Sequence, residues 1–212
     1  MSVSARGLFR ATGKNAANTP SRPELEREKH DFYPTPPEPT RALLQAEHDR
    51  LRDFPLIWEP ACGDGAMVRE IRAAGHACVA SDLIDRGCGG SMQNFFATSA
   101  PMARAIITNP PYDAINWRDG RGRWLTHALD VLAVDYMALL LSWNWPGAAG
   151  LGRVWAAHPP ARVYLMRWKI DFTGAGAPPM LNGWFVWDCA WQGETALRML
   201  DRDGDARQGE ML

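Results

Sequence analysis

Metal-ligand spacing is missing from this sequence. Its four cysteines, Cys62, Cys78, Cys88 and Cys189, include no CxxC pair, and none of the five histidines stands at metal-ligand spacing beside them. No metal is expected, and the thiols read as reduced, as in a cytoplasmic protein. Long apolar runs are also missing. No stretch approaches the roughly 20 residues that span a bilayer, and the N-terminus lacks the apolar block of a secretory signal, so no membrane partner is expected. Nor is one charge in excess: 23 basic and 24 acidic side chains nearly cancel. That excludes a histone-like binder and confines any nucleic-acid surface to a local patch. Nothing in the sequence fixes an oligomeric state.

What is present is apolar material for one core, with 46% of 212 residues hydrophobic. Residues 1 to 30 carry Arg6, Arg10, Lys14, Arg22, Arg27 and Lys29 among small and polar residues. Such a segment buries too little surface to offset its ordering entropy. It reads as a basic, disordered arm, either a phosphate-contacting extension or an inert tail. Residues 31 to 200 make the expected single domain, and 201 to 212 a flexible tail.

Within the domain, Pro36 and Pro37 mark a helix start, with Leu43, Leu44 and Leu51 following on one side. Apolar runs at Leu56 to Trp58, Ala77 to Ala80, Ala105 to Ile107, Tyr136 to Leu141, Val163 to Met166 and Trp184 to Trp187 predict strands. Ala66 to about Ala74, closed by Gly75, and Trp124 to Val134 predict helices. This alternation predicts an α/β fold, a mostly parallel sheet with helices on both faces. Ligands in such sheets sit beyond the carboxyl ends of the strands. That singles out Glu59 to Gly65, Asp82, Asn94 and Asn109 to Tyr112.

Glu59-Pro60-Ala61-Cys62-Gly63-Asp64-Gly65 lies between a strand and a helix, where glycines admit a ligand close to the backbone and a carboxylate holds a cationic amine. A plain tight turn is the alternative. A phosphate cradle is disfavoured, because no GKS or GKT is present and two carboxylates would repel phosphate. Asp82 reads either as a ribose-diol acceptor or as a strand-end cap. Asn109-Pro110-Pro111-Tyr112 is more specific. The amide oxygen of Asn109 and the carbonyl of Pro110 form a pair of acceptors for the N–H groups of a poorly nucleophilic amine, the two prolines stiffen the pair, and Tyr112 offers a face for a flat base. A connecting loop is the bland reading of the same string.

Together, Phe32-Tyr33-Pro34-Thr35-Pro36-Pro37, Glu59 to Gly65, Ser81-Asp82, Asn94-Phe95 and Asn109 to Tyr112 resemble the ordered motifs of the amino-methyltransferases, specifically the small phage-encoded adenine-specific DNA methyltransferases. Lys169 to Phe172 and Gly183 to Asp188 look like the same group, so the similarity spans about residues 31 to 190. The resemblance implies a class I methyltransferase (Rossmann-like) fold with a seven-stranded sheet, S-adenosyl-L-methionine as cofactor and DNA as partner. It further implies a cofactor site of Tyr33, Thr35, Glu59, Ala61, Gly63, Asp64, Gly65, Asp82, Leu83, Asn94, Phe95 and Asn109, with catalysis at Asn109, Pro110, Pro111 and Tyr112. Phe95 has an equal reading as core. Asn94 stands where the family more often has aspartate, and little chain follows Trp187 to form a separate recognition domain.

Cytosine-ring methylation would need a cysteine nucleophile, normally beside a proline, and no Pro-Cys dipeptide occurs. Methylation of an RNA base or a protein glutamine, or a non-catalytic nucleic-acid-binding relative, are the other readings. The second half is rich in tryptophan, which reads mostly as packing, with Trp117, Trp143 and Trp145 in loops able to stack on bases. Trp117, Arg118, Arg121 and Arg123 follow the catalytic motif and read as a solvated or a DNA-contacting loop; Phe172 completes the candidate substrate residues.

Overall fold

Proline is tolerated at the first position of a helix, where the amide has no partner in any case. Helix α1 (Pro37–Ala46) begins in this way. A computed structural model describes residues 33–115, 122–174, 176 and 180–202; the sequence-predicted arm, the tail beyond 202, Trp117, Arg118 and Arg121 lie outside them. After α1 and α2 (His48–Leu51) the chain alternates as expected: β1 (Ile57–Glu59), α3 (Ala66–Ala73), β2 (Cys78–Asp82), β3 (Ser91–Met92), β4 (Ala105–Thr108), α4 (Tyr112–Ile115), α5 (Arg123–Thr126), β5 (Tyr136–Ser142), α6 (Gly152–Ala157), β6 (Arg162–Met166), β7 (Asn182–Asp188) and β8 (Ala196–Leu200).

The strands form one sheet in the order β3-β2-β1-β4-β5-β7-β6-β8. Only β7 runs antiparallel to its neighbours. The sheet therefore has eight strands where seven were expected. The extra edge strand β8 is hard to read because Leu197 and Met199 stay 58% and 42% exposed, so apolar residues do not mark a buried face. The helix expected over Trp124 to Val134 is also shorter. After α5 it widens into a π-helical turn, His127–Val131, and ends at Ala133 with φ of 48°.

Each face of the sheet carries a core. Leu43, Met67, Ile71, Ile107, Leu140 and Trp184 pack on the α1–α3 face, and Trp58, Phe95, Ile106, Trp124, Leu139 and Phe185 on the other. Most tryptophans are packing residues with engaged indoles: Trp58 donates to Ser81 Oγ at 2.9 Å, Trp184 to the Pro39 carbonyl at 2.9 Å and Trp187 to the His158 carbonyl at 2.8 Å. Trp145 belongs with them. It is 8% exposed and donates to the Ile115 carbonyl at 3.0 Å, so a base-stacking role is corrected to a packing one.

Between α1 and α2, Glu47 is 3% exposed and accepts from Arg162 at 2.8 and 2.6 Å and from the hydroxyls of Tyr136 and Tyr164. Arg162 also reaches Asp188, which Arg50 grips bidentately. This network ties the helical cap to β5, β6 and β7. Removing one partner of a buried pair strands the other charge, so Glu47→Leu is expected to lower unfolding free energy by roughly 3–5 kcal/mol. Urea denaturation checks this; an unshifted midpoint would show the network to be neutral.

Candidate active site

Four strands end where the sequence motifs lie, and the turns there are built by hydrogen bonds between the motifs. Glu59 closes β1 and is 1% exposed. Its Oε1 accepts from the Ala61 amide at 3.0 Å and from the Thr108 hydroxyl at 2.5 Å, and no protein donor among the described residues reaches Oε2. The glycine loop then folds over the end of β2, with Cys62 N donating to the Ser81 carbonyl at 3.0 Å and Gly63 N to Asp82 Oδ2 at 2.8 Å. Gly65 starts α3 at φ of 81°, a left-handed conformation, and a Cβ there would lie 2.9 Å from Cys88 Sγ. The left-handed conformation favours glycine, and a Cβ would also force the Cys88 side chain to turn aside.

Asp82 Oδ1 accepts from Ile84 N at 3.0 Å and lies 3.8 Å from Arg86. A shallow hollow lies beside it, lined among others by Cys62, Gly63, Asp82, Ile84, Arg86 and Met92. Asp82 thus caps the strand end, as one of its two readings expected, and its carboxylate borders this hollow.

Burial, more than any other influence, raises the Glu59 carboxyl to about 8, the two hydrogen bonds opposing the rise and the Asp82 charge adding to it. In the ligand-free protein Glu59 is therefore largely neutral at pH 7. A cation brought to its open oxygen would offset that desolvation and draw off the proton.

At the end of β4, next to β1, stands Asn109. Its Nδ2 donates to Thr35 Oγ1 at 3.1 Å, which pins the amide to the segment preceding α1. Its Oδ1 is buried and accepts from no donor among the described residues. An amide carbonyl left so costs about 1–3 kcal/mol, a cost that a bound ligand's donor would remove. Pro110 is buried, Pro111 and Tyr112 half-buried, and Tyr112 opens α4.

Other candidates lie further out. Asn94 Oδ1 is committed to capping Phe96 N at 3.0 Å. Phe95 is 4% exposed and stacks on Trp124 at 4.0 Å, so its ring face is occupied by the protein. Leu83 is 64% exposed, and Tyr33 and Asp64 are partly exposed. The Arg123 guanidinium lies over the Phe96 ring at 3.9 Å, and Phe172 packs against the α1-side core. Thr108 was missed by sequence reasoning; a hydroxyl ending an otherwise apolar strand was its only signal. Among the described residues no acidic, histidine and cysteine group could hold a metal, and no helix is long and apolar enough to cross a membrane.

No protein-family model matches the chain, and no curated protein matches it. Solved structures do. A candidate class I S-adenosylmethionine-dependent methyltransferase from Listeria monocytogenes superposes with a TM-score of 0.56 at 11% identity, over 82% of this chain and 67% of that one. A candidate RNA methyltransferase from Pyrococcus horikoshii gives a TM-score of 0.57 at 11% identity, over 74% of this chain and 87% of that one. The modification subunit of a candidate type I restriction enzyme from Vibrio vulnificus gives 0.52 at 11% identity, over 77% of this chain but only 45% of that one. Strand order and likeness together show a class I methyltransferase fold.

Proposed function

We propose, from the premise of a class I methyltransferase fold, that this protein transfers a methyl group from S-adenosylmethionine to the exocyclic amine of adenine in DNA. The observation that carries the reading is the buried Oδ1 of Asn109 at the end of β4, which meets no donor among the described residues, on an amide braced by Thr35. The residues fit the cofactor. Glu59 has a carboxyl oxygen that no protein donor among the described residues reaches and that can take a cationic group, Asp82 ends β2 beside a shallow hollow where a diol would be held, and the turn carrying Ala61, Gly63 and Gly65 admits close backbone approach. S-adenosylmethionine supplies a methyl group activated by a positively charged sulfur.

The chain's own residues do the rest. Asn109 Oδ1 and the Pro110 carbonyl accept the two N–H groups of the amine, which favours a pyramidal nitrogen with its lone pair free, and the excess proton of the product is lost to water. Tyr112 stacks on the extruded base. Basic residues of the N-terminal arm, with Arg118 and Arg121, supply phosphate contacts. The Phe32 to Pro37 motif and the restriction-modification neighbour favour DNA; the RNA methyltransferase neighbour makes RNA the alternative.

Purified protein is expected to bind the cofactor in calorimetry, and Asp82→Ala to weaken binding about tenfold or more, each hydrogen bond lost being worth roughly 1.5–3 kcal/mol. With labelled cofactor and a panel of DNA, RNA and ribosomal protein, label should enter DNA. Label in protein alone would refute the proposal.

A further inference from the structure

We propose that Trp143 is a substrate-positioning residue, whose indole forms, beside Tyr112, a second flat face for the heterocycle that carries the acceptor amine. The inference rests on the amino-methyltransferase reading of the site. Trp143 directly follows β5, the strand paired with β4, so it stands at the same sheet edge as Asn109. It is anchored there. The Trp143 amide donates to the Leu181 carbonyl at 2.9 Å, and two residues on, the Trp145 indole donates to the carbonyl of Ile115, the last residue of the short helix that Tyr112 begins. The segment carrying Trp143 is thus docked on the helix carrying Tyr112.

Trp143 is set differently from the fully buried tryptophans. Trp145 and Phe185 beside it are 8% and 1% exposed, whereas Trp143 is half-buried. The indoles of Trp58, Trp145, Trp184, Trp187 and Trp191 each donate to a protein acceptor; that of Trp143, like those of Trp124, Trp155 and Trp168, donates to none among the described residues. Its ring also has a built seat. A Cβ on Gly183 would lie 3.2 Å from Trp143 Cε3 and 2.8 Å from the Tyr164 carbonyl, so glycine in this buried strand makes room for the indole as well as for the neighbouring backbone. A ring held by its seat and only partly buried has what a stacking platform requires. Such a surface fits a planar nucleobase and gives little to a peptide amide.

The test uses the full chain with Trp143→Phe, Trp143→Leu and Trp143→Gln. Anisotropy reads affinity for a single-stranded oligo(dA), single-turnover transfer reads methylation of an adenine-containing duplex, and calorimetry and thermal melting read cofactor affinity and fold. Leu and Gln are expected to lose about tenfold or more in oligonucleotide affinity and in transfer at subsaturating DNA. Phe should keep most of both, with cofactor affinity and melting unchanged in all three. An active wild type with an indifferent Leu variant overturns the inference alone, as does a parallel fall in melting temperature and cofactor affinity, which assigns Trp143 to the fold. A wild type that binds cofactor but neither binds nor methylates nucleic acid overturns the functional reading, and the inference with it.

Discussion

Asn109→Ala is expected to slow methyl transfer by roughly 10²–10³-fold, the usual consequence of losing one preorganised hydrogen-bonding group at a reacting centre. The affected partner would be the buried Oδ1, which accepts from no donor among the described residues. An acceptor whose hydrogen bond strengthens as the amine pyramidalises acts on the transition state more than on the ground state, so the rate should fall while cofactor affinity stays within about twofold. Thr35→Val separates carbonyl from anchor. It removes the hydroxyl that holds Nδ2 at 3.1 Å but leaves the amide in place, so its loss should be smaller than that of Asn109→Ala. Single-turnover rates with cofactor binding measured separately would decide it. Equal rates in Asn109→Ala and wild type would end the mechanism.

Glu59→Gln should do two opposite things: strengthen the ligand-free fold and weaken cofactor binding. The Glu59 carboxyl is raised from its ordinary 4.5 to about 8, chiefly by burial. Because its folded-state value exceeds the unfolded one, the folded chain holds a proton that the unfolded chain has released between pH 4.5 and 8, and stability falls across that window. By pH 7 the loss is about 3 kcal/mol. Glutamine is a near isostere of the neutral carboxyl, and its Oε1 can accept from Ala61 and Thr108 as Glu59 does. The variant should therefore match wild type near pH 4 and exceed it increasingly toward pH 8 in thermal melts. Cofactor affinity should show the converse. In wild type it should weaken up to tenfold per unit as pH falls below about 8, since the bound cation must displace the proton. In the variant it should be weak and flat with pH. Melting curves that run parallel at every pH would show that Glu59 ionises normally.

Much of this architecture was legible because it rests on local rules. Pro36-Pro37 set the start of α1, and the short apolar runs set the central strands. The turn residues fell at the strand ends because glycine and carboxylate there satisfy backbone constraints readable from spacing alone, as with Gly65 at φ of 81°. What escaped depends on long-range partners. Strand β8 is mostly exposed, so its pairing with β6 leaves no hydrophobic alternation. The Thr108–Glu59 hydrogen bond joins residues 49 apart, and the Glu47–Arg162 pair residues 115 apart. Phe95 and Trp145 show the reverse difficulty. An aromatic in a functional-looking position declares neither face nor exposure, and packing committed both rings to the core.

The account stands most directly on where the methyl group goes. Adenine-rich duplex DNA would be incubated with isotopically labelled S-adenosylmethionine and either wild type or Asn109→Ala, then digested to nucleosides and resolved by mass spectrometry. The account predicts labelled deoxyadenosine methylated on its exocyclic nitrogen with wild type and roughly a hundredfold less with the variant. Label on a ring carbon, on another nucleoside, or at equal level in both reactions would contradict it.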